Sequence, residues 1–290
     1  MIFSAEHGIK RSICGIDFSI NIFGQYDHGE EEMSRAIIQV KSLYKTYKTQ
    51  AGEDLLALKD VSFEIFDGEF ISVVGPSGCG KSTLLKILGG LLSKSGGELL
   101  LKGLPVEGPR SDIGIVFQES VLLPWRTVMQ NTLLPIEIQK GHSLEYKDRA
   151  LDLLKMVGLN GFEKKYPFEL SGGMQQRVSI TRALISDPAI LLMDEPFGAL
   201  DAMTREQMNL ELLRIWRQSR KTIFFITHSI PEAIFLSDRV MVLSERPGSV
   251  VRIIDIPLPT PRTLEVMNTP EFGELSKQIR SFFPIKGMPL

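Results

Sequence analysis

Nine consecutive residues constrain this chain more than any others. Gly75-Pro76-Ser77-Gly78-Cys79-Gly80-Lys81-Ser82-Thr83 fits the pattern G-x-x-x-x-G-K-[ST]. Phe70 to Val74, just before it, is apolar and partly β-branched and predicts a buried strand. Leu84 to Leu88, just after it, predicts the start of a helix. In that context the glycines let backbone N–H groups curl around an anion, and the helix points its positive N-terminal end at the same place. Lys81 is then placed to reach the β- and γ-phosphates of a nucleotide, and the Ser82 hydroxyl to bind Mg²⁺. A ligand-free Gly-rich turn is the competing reading, and the complete pattern in its strand–helix setting argues against it.

Length and composition set the outer bounds. The 290 residues suffice for one large or two small domains, and 43% hydrophobic with 23% charged residues is ordinary for a globular chain. A formal net charge of -2 gives no nucleic-acid footprint. Of the two cysteines, Cys79 lies inside the phosphate loop, so a structural bridge to Cys14 is not expected. No apolar run approaches the roughly 18 residues of a membrane helix. Residues 1–32 lack the apolar core of a signal peptide. Any membrane role is therefore expected through a partner.

Residues 1–35 carry no sustained period and are expected to form a disordered N-terminal extension. Strands are predicted at Ile37 to Val40, Ala57 to Phe66 and Glu69 to Val74, with Lys41–Asp54 a polar connection and Asp67-Gly68 a hairpin-like turn. Further strands are read at Glu98 to Leu101 and Ile113 to Phe117. Tyr146, Ala150, Leu153, Leu154 and Val157 keep helical spacing, with Gly158 as the stop. Residues of about 119–187 thus read as a helical subdomain inserted into an α/β core. Ala189 to Met193 and Thr222 to Thr227 read as buried strands, Asp201 to Ser219 and Ser229 to Ser237 as helices, and Arg239 to Leu243 as the last core strand. Residues 252–290 are expected to be a short C-terminal tail.

The second half narrows the chemistry. Asp194 ends an apolar strand, where a carboxylate can hold Mg²⁺ directly or through water. Glu195, one residue on, faces elsewhere and can polarise an attacking water. Gln118 and His228 end other strands on the same C-terminal edge, the ligand side of an open α/β sheet. There Gln118 can reach the metal or its water, and His228 can sense a γ-phosphate. Ser171-Gly172-Gly173 open a helix and offer a second anion site.

At this point a family resemblance becomes specific. Leu170-Ser171-Gly172-Gly173-Met174-Gln175-Gln176-Arg177 resembles the signature motif of ATP-binding cassette (ABC) ATPases. Gly75 to Thr83 then resembles the Walker A loop and Gln118 the Q-loop glutamine. Ile190 to Asp194 resembles Walker B with Glu195 as catalytic glutamate. Phe197 to Asp201 resembles the D-loop, and His228 the switch histidine. Tyr47 resembles the aromatic that stacks on adenine, with Tyr44 as competitor. The resemblance spans about residues 36–250. It implies a RecA-like P-loop NTPase core with an N-terminal antiparallel β subdomain and an inserted α-helical subdomain.

The implied ligands are ATP and Mg²⁺. Gly75, Pro76, Ser77, Gly78, Cys79, Gly80, Lys81, Ser82 and Thr83, with Ser171, Gly172, Gly173 and Gln175, are implied to bind nucleotide. Ser82, Gln118 and Asp194 are implied to hold the metal, and Glu195, His228, Lys81 and Gln118 to act in hydrolysis. Within the family, Val116 to Val128 resembles importers of nitrate, taurine and aliphatic sulfonates. That implies an ATPase subunit on the cytoplasmic face of the inner membrane, docked to a permease through the loop around Trp125. It also implies a second copy in an ATP-sandwich dimer and a solute-binding protein in the assembled system. The rival reading is a soluble ABC-type ATPase acting on nucleic acid or ribosomes. One cassette, the small negative charge and the lack of coiled-coil heptads argue against it.

Overall fold

A computed structural model describes residues 36–50, 52–139, 141, 143–198 and 200–283. The expected disorder of residues 1–35 lies outside the described residues, as do Ala199 and residues 284–290. In chain order the strands are β1 (Ala36–Lys48), β2 (Asp54–Phe66), β3 (Phe70–Val74), β4 (Gly96–Leu101), β5 (Leu104–Pro105), β6 (Ile113–Val116), β7 (Ile190–Asp194), β8 (Thr222–Ile226), β9 (Arg239–Leu243) and β10 (Val250–Asp255). The helices are α1 (Lys81–Leu88), α2 (Val128–Gln139), α3 (Lys147–Met156), α4 (Gly172–Leu184), α5 (Ala202–Ser219), α6 (Ile230–Leu236) and α7 (Pro270–Ser281).

The centre is a six-stranded sheet in the order β10-β9-β3-β8-β7-β6. β9, β3, β8, β7 and β6 run parallel, and β10 returns antiparallel to β9. Every residue of β3, β7 and β8 is buried, which is why these strands read as unbroken apolar runs. Their alternation reappears as two cores, one per face. Phe70, Leu191, Met193, Ile223 and Phe225 join the core with α4, α5, α6 and α7. Ile71, Val73, Ile190, Leu192, Phe224 and Ile226 join the core with α1 and the second sheet. Each such side chain contributes about 1.5–3 kcal/mol by leaving water.

The second sheet is antiparallel, in the order β2-β1-β4-β5. Two expectations change here. β1 does not stop at Val40; it runs on to Lys48 through several register shifts. The Asp67-Gly68 turn closes no hairpin, because β2 and β3 belong to different sheets. Its polar groups are taken up by the central sheet instead. Gly68 N–H donates to Thr222 Oγ1 at 2.9 Å, and Trp216 Nε1 donates to the Gly68 carbonyl at 3.1 Å.

α2, α3 and α4 lie between β6 and β7 in sequence and pack on one another, which supplies the inserted helical part. Gly158, at φ +70°, follows the α3 cap at Val157 as the periodicity implied. The last expectation to change is the tail. A boundary at 251 cuts through β10, and the chain beyond it packs into the core. Ile254, Ile256, Leu258, Val266, Phe272 and Ile279 are all buried there, with α7 against α6. Arg262, 5% exposed, donates to the carbonyls of Ile234, Phe235 and Ser237 at the end of α6 and to that of Ile256, just past β10. Among the described residues, no helix is long and apolar enough to cross a membrane.

Candidate active site

The loop after β3 is shaped by glycine where nothing else fits. Gly80 sits at φ +106°, and a Cβ there would lie 2.7 Å from Leu58 Cδ2. Lys81 follows as the first residue of α1. Its Nζ donates to the carbonyls of Gly75 at 2.8 Å and Pro76 at 3.1 Å, which folds the ammonium over the loop. A cavity of about 350 Å³ opens in front, lined by Ser77, Gly78, Gly80, Lys81, Ser82 and Thr83 together with Tyr47 and Glu195. The side chain of Cys79, 1% exposed, turns away into the core, and burial pushes its thiol pKa up. Cys79 thus belongs to the loop by its backbone alone.

Tyr47 rather than Tyr44 reaches the loop. Its hydroxyl lies 3.2 Å from Thr83 Oγ1, while Lys45 Nζ covers the ring at 5.1 Å from the centroid. Tyr44 is instead paired with Gly96 in the second sheet. Arg246, Leu55 and Ala57 also line the cavity, and sequence reasoning missed all three. Arg246 stands in the loop after β9, with its Nε 3.4 Å from the Gly78 carbonyl. No motif marked it; only its place after a strand on the ligand edge was a clue.

The carboxylates arrive from β7. Asp194, at the strand end and 9% exposed, accepts from Ser82 Oγ at 3.1 Å. Burial pushes its pKa above the usual carboxylate range, the Ser82 hydroxyl opposes that, and neighbouring Glu195 adds to the rise. Glu195 takes φ +44°, a left-handed turn that bends the chain sharply after the strand. Its N–H donates to the Ile226 carbonyl at 3.0 Å, and its Oε2 lies 3.1 Å from His228 Nδ1. Two adjacent acids thus do face different groups, one the Ser82 hydroxyl and one the imidazole.

Other predicted residues stand apart from this cavity. Gln118 lines a separate cavity of about 500 Å³, with Pro124, Phe168, Gly172 and Gln175. Ser171 caps α4, its Oγ accepting from Met174 N–H at 3.3 Å. The Gln175 amide donates to the Pro167 and Leu170 carbonyls and accepts from Ser120, so within this chain it braces the turn before α4. Ser171, Gly172 and Gly173 do not line the nucleotide cavity of their own chain.

The donor set suits a small hard cation that keeps phosphate and water ligands. Ser82 offers one hydroxyl and Asp194 one carboxylate, and among the described residues no cluster of three or more His, Cys, Asp or Glu forms a cage.

Comparison with known proteins agrees with this geometry. The family described as "ABC transporter" matches residues 58–198. An uncharacterised ABC transporter ATP-binding protein of Methanocaldococcus jannaschii is 48% identical over 242 residues, covering 83% of this chain and 89% of that protein. The taurine import ATP-binding protein TauB of Rhizobium johnstonii is 47% identical, covering 81% and 92%. The aliphatic sulfonates import ATP-binding protein SsuB of Bacillus cereus is 41% identical, covering 87% and 97%. Among solved structures, the dimeric ABC transporter cassette MJ0796 is 36% identical with a TM-score of 0.66, covering 77% of this chain and all of that one. With the phosphate loop, the paired acids and the imidazole at one sheet edge, this chain belongs to the ABC transporter family, as one of its ATP-binding, ATP-hydrolysing subunits.

Proposed function

We propose that this subunit powers the import of a small sulfonate or similar anion, hydrolysing ATP at the interface of two copies docked on a permease. The observation that carries the hydrolytic reading is the paired contact at the end of β7, Asp194 to Ser82 and Glu195 to His228. Tyr47, which lines the cavity, stacks on adenine, and Gly78 to Lys81 hold the phosphates with the Lys81 ammonium among them. Ser82 and Asp194 would hold Mg²⁺, which when bound would supply charge neutralisation on the phosphate oxygens. Glu195 accepts a proton from the attacking water, and His228 steadies both that carboxylate and the γ-phosphate. The work is positioning and electrostatics, with little covalent chemistry for the protein.

Ser171 and Gly172 open outward at the α4 N-terminus, with Gly173 buried behind them, which suits capping of the ATP held by a second copy. The loop of Pro124, Trp125 and Arg126 suits the permease. Trp125 is 70% exposed, which argues against a core role, and Asn131 holds the loop rigid through Leu123, Arg126 and Thr127. Docking there would keep the subunit on the cytoplasmic face of the membrane, with a solute-binding protein on the other side. The kinship with taurine and sulfonate import subunits supports the substrate class. The test is uptake of labelled taurine, alkanesulfonates and nitrate by cells carrying the permease with wild-type or Glu195→Gln subunit. Uptake of one of these that is lost in the variant supports the reading; no uptake of any refutes the substrate class.

A further inference from the structure

Behind the Glu195–His228 pair sits a third acid that the hydrolytic scheme leaves unused. Glu232, in the first turn of α6, is 6% exposed. Its Oε2 accepts from Thr227 Oγ1. Thr227 Oγ1 in turn accepts from Ser229 N–H at 3.0 Å, and Ser229 Oγ accepts from Glu232 N–H at 3.3 Å. The residues on either side of His228 are thereby closed into a ring of hydrogen bonds around one buried carboxyl. The imidazole itself is more than half exposed, so its own packing cannot fix it. Backbone held on both sides can.

The same carboxyl borders a narrow void, with no room for water, that Arg205 and Phe197 also line. Arg205, from α5, donates to the Phe197 carbonyl at 3.3 Å and the Leu200 carbonyl at 2.8 Å. Burial raises the Glu232 pKa, and the Thr227 hydroxyl and then the Arg205 charge oppose that rise. The void thus brings Phe197, after β7, beside Thr227 and Ser229, after β8.

We propose that Glu232 is a positioning residue for ATP hydrolysis, which holds His228 against Glu195 through Thr227 and Ser229. The proposal rests on the reading that Glu195 and His228 act in hydrolysis. A misplaced imidazole should slow the chemical step and leave ATP affinity alone.

The test is steady-state ATPase kinetics on the full chain, with imidazole NMR of His228, one of four histidines, assigned through His228→Gln. Thr227→Val and Glu232→Leu should each lower kcat about tenfold or more, with KM for ATP within about twofold. The double variant should lose no more than the worse single one, because both act through one bond. Glu232→Gln keeps an acceptor for Thr227 and should recover most of kcat and the wild-type His228 signal. The two damaging variants should shift that signal. Wild-type kcat in Thr227→Val, multiplying losses in the double variant, or an unmoved His228 signal would each overturn the proposal. If Glu232→Leu fails to fold, Thr227→Val decides the matter alone. Full activity in a Glu195→Gln control would sink the hydrolytic reading itself, while the NMR signal would still report whether Glu232 holds the loop.

Discussion

Arg262→Met removes a guanidinium and keeps most of its apolar stem. Arg262 Nη1 donates to the carbonyls of Ser237 at 2.7 Å, Phe235 at 3.0 Å and Ile234 at 3.3 Å, and Nη2 donates to the Ile256 carbonyl at 3.3 Å. Without it the last carbonyls of α6 stay buried with no donor, since α7 and the core close over them. Two orphaned acceptors at about 1–3 kcal/mol each give roughly 2–6 kcal/mol. Against this stands the relief of burying a charge, because burial already pulls the Arg262 pKa down. A net loss of about 3 kcal/mol is expected, which for a chain of this size lowers Tm by roughly 6–12 °C. Thermal unfolding by circular dichroism measures it, with Arg252→Met on the exposed side of β10 as a control expected to change nothing. A Tm shift of less than roughly 2 °C would show that the end of α6 finds other partners. It would also mean that the chain beyond β10 is dispensable to the core.

Three further outcomes follow from the site. Lys81→Met takes the charge from the phosphate loop and keeps its stem in place, so ATPase activity should vanish while the far-ultraviolet spectrum is retained; hydrolysis at the wild-type rate would remove Lys81 from the mechanism. Glu195→Gln should bind ATP, fail to turn it over and accumulate as a dimer in light scattering, and adding Ser171→Arg should return it to monomer. Asp194→Asn should abolish hydrolysis and yet raise Tm at pH 7. The sign comes from burial: the folded-state pKa of Asp194 is raised, so its ionised form is disfavoured on folding at neutral pH, and that penalty fades as pH falls towards the ordinary aspartate value. The Tm gain should therefore shrink on acidification, and a gain that grows instead would refute the burial argument.

Much of this was legible because the central strands are buried on both faces. β3, β7 and β8 could only be apolar runs, and the residues that follow them had to lie on one edge. β1 was cut short because its register shifts break the period of two near Leu43. The turn at Asp67-Gly68 carried a hairpin signal, but the partners that claim it, Thr222 and Trp216, are some 150 residues away. In the tail the prolines drew attention from real patterns. Ile254, Ile256 and Leu258 alternate as a strand should, and Thr269-Pro270 cap a helix whose Phe272, Leu275 and Ile279 share a face. Arg246 carried no motif because its contact, Gly78, is 168 residues away, while Arg205 and Glu232 bond near neighbours through turns whose shape no pattern announces.

The strand order sets a length scale for the reaction. The phosphate loop leaves β3, His228 leaves β8, the two acids leave β7 and Gln118 follows β6, and these strands stand side by side in that order. Neighbouring strands are held about 4.8 Å apart by their backbone hydrogen bonds. From the loop after β3 to the strand that carries Asp194 and Glu195 is thus two such steps, about 10 Å of main-chain spacing, which the side chains of Ser82 and Asp194 close to 3.1 Å. The edge of the sheet works as a ruler whose graduations are main-chain spacings. No side-chain substitution can rescale it. What the side chains can do is reach across a spacing that the pairing of the strands has already set.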